Sequence, residues 1–209
     1  MKYDSNCKDC DRLSSFLGQV KNKNPDYFCK PVPSVGQKET PFLIVGLAPG
    51  MHGANKTGRP FTGDHAGILL YKTLYKFGFS NSDKSESASD NLKLNRCRIT
   101  NAVKCLPPDN KPSTAEIKNC NKFLRSEIFE LKENSILLAL GLIAHNAILR
   151  ALNLTKKEYK FAHGRRHNLP KKLIMFDSYH CSRYNTQTKR LTESMFHEVF
   201  LSIKTEMEN

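Results

Sequence analysis

The 209-residue chain sets 33 Lys and Arg against 20 Asp and Glu, a formal net charge of +13, and 39% of its residues are hydrophobic. That length suits one domain, and that hydrophobic share excludes a mainly disordered chain. No stretch approaches the roughly 20 apolar residues that span a bilayer, the first ten residues lack the apolar run of a secretory leader, and seven Cys without a leader argue for thiols or metal ligands over a disulfide framework.

In chain order, Phe42–Val45 (FLIV) ends at Gly46 and predicts a strand buried on both faces. From Ala66 to Phe79, Leu69, Leu70, Leu74 and Phe77 recur at helical spacing and stop near Gly78. The segment 80–91 (SNSDKSESASDN) reads as an exposed Ser-rich loop inside a single domain spanning 1–209. Cys97–Val103 predicts a second strand, and Ser113 with Glu116 forms a capping box that opens a helix to about Lys132. Ser135–Leu140 is a third strand, Leu142–Leu152 a helix, and Leu173–Phe176 a fourth strand ending at Asp177. Leu191, Met195, Val199 and Ile203 mark one face of a C-terminal helix. Alternating strands and helices predict a three-layer α/β/α fold with a central, mostly parallel four-stranded sheet. In such sheets ligands bind beyond the carboxyl ends of the strands.

Those ends carry the unusual composition. Gly46–Asp64 (GLAPGMHGANKTGRPFTGD) is neither a Walker loop nor a dinucleotide fingerprint. It offers a backbone cradle ending in one aromatic, Phe61, and one acid, Asp64, although a merely irregular loop has the same composition. Cys7 and Cys10 form C-x2-C, while Cys105 and Cys120 stand fourteen residues apart. Four thiolates without His suit an all-cysteine zinc site or a 4Fe–4S cluster, and spacing does not choose between them. Cys97, at the edge of an apolar run, reads as a small core residue. Tyr179–Thr192 places His180, Ser182, Arg183, Tyr184, Lys189 and Arg190 after a strand. His52 and His163 are second-rank candidates in loops, whereas His145 and His197 read as bland, exposed helix residues. The positive excess suits nucleic acid or an anionic membrane surface, although a Lys-rich composition alone gives the same sum.

Three blocks in order resemble the iron–sulfur uracil-DNA glycosylases, most closely family 5 and next family 4. They are Gly46–Asp64, ITNAVKCLPPDNKPSTAEIKNC at Ile99–Cys120, and YHCSRYNTQTKRLT at Tyr179–Thr192. Leu47 and Thr62-Gly63-Asp64 favour family 5. Two positions depart from the pattern: Cys181 stands where a proline would stiffen the loop, and Asn101 stands where family 5 usually carries Ala, which argues for sharper uracil recognition. The resemblance implies a DNA repair glycosylase acting on uracil in single- or double-stranded DNA. It implies Cys7, Cys10, Cys105 and Cys120 as ligands of a 4Fe–4S cluster. His180 would stabilise the departing uracil anion, Asp64 would stabilise the sugar cation and orient water, and Asn110 would support Asp64. Phe61 would stack on the flipped base, while Gly46, Ala48, Gly50, Asn101 and Ser182 would line its pocket. Ser182, Arg183 and Tyr184 would form the loop inserted into the duplex. Lys56, Arg59, Arg165, Arg166, Lys189 and Arg190 are candidate phosphate contacts. A monomer in the cytoplasm, associated with the nucleoid through DNA, is expected. Two rival readings are a silent DNA-binding module with a structural zinc site, and a hydrolase of free nucleosides.

Overall fold

The computed structural model describes residues 2–208. In chain order its elements are α1 (Asp11–Lys23), β1 (Val35–Gly36), β2 (Phe42–Gly46), α2 (Ala54–Thr57), α3 (His65–Lys76), β3 (Cys97–Asn101), α4 (Thr114–Phe129), β4 (Ile136–Leu140), α5 (Leu142–Ala151), β5 (Arg166–Asn168), β6 (Ile174–Ser178), α6 (Arg183–Gln187) and α7 (Glu193–Glu208). The four predicted strands are β2, β3, β4 and β6, and they run parallel in the order β3-β2-β4-β6. The sheet is larger than expected: β1 and β5 add antiparallel edges, giving six strands in the order β1-β3-β2-β4-β6-β5. Strands of two and three residues are too short to leave a periodic signal.

Alternation along the strands builds the layers. Phe42, Ile44, Ile99, Leu138 and Phe176 face one way and pack with Leu70 and Leu74 of α3 and Phe196 and Phe200 of α7. Leu43, Val45, Leu137, Ala139 and Met175 face the other way, against Leu124 and Ile128 of α4 and Ala144 and Ile148 of α5. The α/β/α sandwich is therefore a consequence of two-sided burial. The buried stripe of α7 is Phe196, Val199, Phe200 and Ile203, with Met195 only partly covered. At α4 the capping box is complete: Ser113 Oγ accepts from the Glu116 amide at 3.2 Å, and Glu116 Oε2 accepts from the Ser113 amide at 2.7 Å. Sequence reading left α1 unassigned, yet Leu13, Leu17 and Val20 bury one face of it. Register aligns the carboxyl ends of the parallel strands, Gly46 against Asn101 and Leu140 against Ser178, so the loops that follow converge at one edge.

Candidate active site

Asp64 precedes α3, but its carboxylate makes no cap on that helix. It turns instead into the loop after β2, where Oδ2 accepts from the Ala54 amide at 3.1 Å. Glycine makes this possible: a Cβ on Gly53 would lie 2.0 Å from the carboxylate and one on Gly50 2.3 Å from it. Burial pushes the Asp64 carboxyl above its usual range, opposed by the amides of Ala54 and Gly50 and by nearby His52. The chain has spent space and solvation to keep this acid in the cradle.

Phe61 is buried with φ of 59°, a left-handed conformation that a bulky residue adopts only where its surroundings enforce it. The enforcement is visible. Tyr71 donates to the Pro60 carbonyl at 2.8 Å, and Arg59 Nε donates to Thr62 Oγ1 at 2.8 Å. Gly46 lets Phe61 and Asn101 close in: a Cβ there would lie 2.4 Å from Asn101 Oδ1 and 2.6 Å from the Phe61 ring. Asn101 is buried, and its Oδ1 has no hydrogen-bond partner. A buried acceptor without a donor is a costly state that a ligand N–H would relieve.

His180 follows β6 with its ring stacked toward Phe61, centroids 6.1 Å apart. Burial lowers its pKa to about 4, so the imidazole is neutral at pH 7. The His180 carbonyl accepts from Asn185 Nδ2 at 2.8 Å, and Ser182 caps α6 by accepting from the Asn185 amide. These groups enclose a cavity of about 730 Å³. Ala48, Gly50, Phe61, Asp64, Asn101, Asn110, His180, Ser182 and Arg183 all line it. Asn110 reaches it from a tight turn in which Asp109 and Asn110 both have positive φ. Gly46 stands behind the wall. Met51 and His65 line the cavity without having been singled out, and the Nδ1 of His65 is buried without a partner. The available signal for His65 was its place directly after Asp64. The expected inserted loop is in part helix, since Arg183 and Tyr184 open α6, and Tyr184 is 69% exposed.

Among the expected phosphate contacts, Lys56, Lys189 and Arg190 are exposed. Arg59 is not: it is 6% exposed and pairs with Asp90 while donating to Ser85 Oγ. That pair also corrects the reading of segment 80–91, which is mostly exposed but latched onto the cradle. Arg166 pairs with Glu206 of α7, and Arg165 donates to the Lys160 carbonyl. His52 lines the cavity, with Nδ1 2.8 Å from the Tyr27 hydroxyl. His145 is the opposite of exposed, at 1% accessibility, and His197 is largely covered between α7 and Lys76.

Cys7, Cys10, Cys105 and Cys120 face one small pocket walled by Leu13, Pro31 and Phe123. Burial, then mutual repulsion among the four, pushes Cys105 up to about 12, and burial does the same to Cys120, at about 11. Such a set of thiols becomes thiolate only around a cation, so the donors fit a thiolate-ligated metal centre. Cys10 immediately precedes α1, Cys105 follows β3 and Cys120 lies in α4, so the four span three elements. Cys29, Cys97 and Cys181 are buried elsewhere, Cys97 in the core beneath the sheet as expected and Cys181 in the core beside His180.

Fold and cavity define an α/β protein whose ligand site lies beyond the carboxyl edge of a parallel sheet, with an acid, an imidazole and an amide around one pocket. The sequence matches the Uracil DNA glycosylase superfamily over residues 33–204, and the chain belongs to that family. It is 41% identical over 203 residues to the Type-5 uracil-DNA glycosylase of Thermus thermophilus, covering 95% of this chain and 92% of that protein. The Type-5 uracil-DNA glycosylase of Pyrobaculum aerophilum is 38% identical over 198 residues, covering 93% and 86%. A Type-4 uracil-DNA glycosylase from the same organism matches less of the chain, 36% identical over 122 residues, 58% of this chain and 54% of that protein.

Proposed function

We propose that this chain is a uracil-DNA glycosylase that turns uracil out of DNA into the 730 Å³ cavity and hydrolyses its N-glycosidic bond, leaving an abasic site. One observation carries the reading of the site: a desolvated carboxylate, a neutral imidazole and an unpartnered buried amide oxygen line one pocket roomy enough for a turned-out nucleotide. Extruding a base costs a few kcal/mol of stacking and pairing, so the pocket must return that energy. Phe61 offers its face to the pyrimidine ring. The Asn101 amide accepts from uracil N3–H and donates to O4, an edge that cytosine does not present.

Cleavage of the C–N bond leaves positive charge on the sugar and negative charge on the uracil. Neutral His180 donates an N–H to O2 as that negative charge develops. Asp64, its Oδ2 accepting from the Ala54 amide, faces the sugar cation and orients the attacking water. Asn110 assists at the same wall, and Ser182, Arg183 and Tyr184 meet the duplex where the base has left. Lys56, Lys189 and Arg190 meet phosphates, which positions the strand without reading its sequence.

Cys7, Cys10, Cys105 and Cys120 would hold a 4Fe–4S cluster. Bound there, it supplies a cross-link between the N-terminal arm and the segment carrying Asn101 and Asn110. Protein purified under low oxygen is expected to be yellow-brown with about four irons per chain; a colourless preparation with one tight zinc would overturn this assignment. The enzyme acts as a monomer in the cytoplasm, on single- or double-stranded DNA. Among the described residues no helix is long and apolar enough to cross a membrane.

Turnover tests the reading. Excess uracil-containing oligonucleotide, treated with enzyme and then alkali, is cleaved over many cycles. His180→Ala lowers the single-turnover rate by roughly 10- to 1,000-fold with DNA affinity nearly unchanged. Wild-type excision by that variant would remove His180 from the mechanism.

A further inference from the structure

Outside the pocket the molecule buries a second polar centre that excision does not use. Asp177 of β6 is fully buried, and its Oδ1 accepts from His145 Nδ1 at 2.7 Å. Its Oδ2 accepts from His167 Nε2 at 2.8 Å and from the Ala162 amide at 3.3 Å. His145 Nε2 lies 2.9 Å from the Tyr159 carbonyl. One hydrogen therefore lies between His145 Nδ1 and Asp177 Oδ1, and Nε2 presents another to the Tyr159 carbonyl, which only accepts. The alternative to a proton at Nδ1 is a metal ion, since the three ligand atoms lie within 4.8 Å of one another. The hydrogen-bonded arrangement needs no fourth donor and leaves none of these inward-facing atoms unsatisfied, so it is the one the geometry favours.

A buried ionic group of this kind adds little stability over an apolar replacement of the same volume. What it does fix is placement. The centre ties α5, β5 and β6 to the loop from Tyr159 to Arg165, which the backbone reinforces through Gly164 N–Asp177 O at 2.8 Å and Asp177 N–Arg165 O at 3.0 Å. That loop carries His163. Its Nδ1 accepts from the Tyr179 amide at 3.1 Å, and its ring stacks on Tyr179 with centroids 4.9 Å apart. Tyr179 is the residue immediately before His180.

We propose that Asp177, with His145 and His167, is a positioning centre for His180: it fastens the Tyr159–Arg165 loop onto β6, and through His163 that loop seats Tyr179 and sets the entry of His180 into the pocket. The proposal rests on His180 being the donor to uracil, so the test separates the two claims. Four variants are compared with wild type and with His180→Ala: Asp177→Asn, His167→Leu, His167→Gln, and Leu149→Ala as a control in the same core layer away from the pocket. Single-turnover excision, affinity for abasic DNA, melting temperature and the side-chain nitrogen resonances of His145 and His180 are measured.

Asp177→Asn and His167→Leu are expected to slow excision about 10-fold or more, with affinity for abasic DNA unchanged and the His180 resonances shifted. His167→Gln keeps a donor at the Nε2 position and retains most of the rate. Leu149→Ala lowers the melting temperature but, well below it, leaves excision and the His180 resonances as in wild type. In wild type, His145 shows an N–H signal at Nε2 and a hydrogen-bonded proton signal between Nδ1 and Asp177 Oδ1. If Asp177→Asn does not fold, the His167 pair and the wild-type spectrum still decide. Unshifted His180 resonances, equal rate losses in Leu149→Ala, or stoichiometric zinc at the three side chains would each overturn the proposal. If His180→Ala excises normally while Asp177→Asn still shifts His180, the donor role fails and the positioning stands.

Discussion

Asp64 is half-buried beside two glycines and spends its side chain on the loop rather than on the helix it precedes. A helix-capping role would make Asn an equal substitute. The observed setting gives a different outcome. Its carboxyl is held above the unfolded range, so the folded state keeps a proton that the unfolded state has released, and stability falls as pH rises through that window. Asp64→Asn removes the desolvated charge, so its melting temperature at pH 7 is expected to equal or exceed that of wild type. Excision falls roughly 10- to 1,000-fold in the same variant, and binding to abasic DNA holds or tightens because a negative charge has left the surface. A wild-type excision rate in Asp64→Asn would strike it from the mechanism. His180 has the opposite sign. Its imidazole stays neutral down to about 4, whereas an unfolded histidine takes a proton near pH 6.5. Stability therefore declines as pH falls from about 6.5 toward 4, and His180→Ala should flatten that limb in urea titrations relative to wild type.

Among elements, the loop 80–91 shows where sequence reading stopped. Its Ser- and charge-rich composition gives exposure correctly for most positions, but nothing in composition marks Ser85 and Asp90 as the partners of Arg59. Burial works against the Asp90 charge, and the Arg59 guanidinium with three backbone amides holds its carboxyl well below the usual range. Arg59→Gln is expected to cost about 2 kcal/mol, or about 4–8 °C in melting temperature, by stranding Asp90. It should also slow excision by loosening the Phe61 turn, while leaving the salt dependence of DNA binding unchanged; a shallower salt dependence would make Arg59 a phosphate contact after all. The same boundary runs through the rest of the molecule. The four parallel strands and the cradle were legible because two-faced burial and dense glycine leave strong local signals. The edge strands, the Arg59 latch and the burial of His145 depend on partners 31 residues away or on another element, and no local pattern encodes those.

At the scale of the whole molecule, the net charge of +13 is a statement about partners only if free cations lie near the site. Among the described residues four of the candidate contacts qualify: Lys56 on α2, Arg183 at the start of α6, and Lys189 and Arg190 just beyond it are exposed, while Arg59 and Arg166 are already paired and Arg165 donates to the Lys160 carbonyl. Arg190 also lies 4.8 Å over the Tyr179 ring, which fixes its direction beside His180. Each phosphate neutralised on duplex DNA releases condensed counterions and contributes about −0.9 to the slope of log affinity against log salt. Four such contacts give a slope between about −3 and −4, steep enough to read by fluorescence anisotropy across 50–200 mM salt. Removing one at a time, Arg183→Ala or Lys189→Ala should flatten the slope by about 1 each, whereas neutralising the paired Arg166 should leave it unchanged. Because Lys189 touches the backbone and not the base, excision at saturating enzyme should stay near wild type in Lys189→Ala, whereas Arg183→Ala, which also removes part of the pocket wall, should slow it. A wild-type slope shallower than about −2 would place the duplex on another face of the molecule and leave the positive excess as compositional bias.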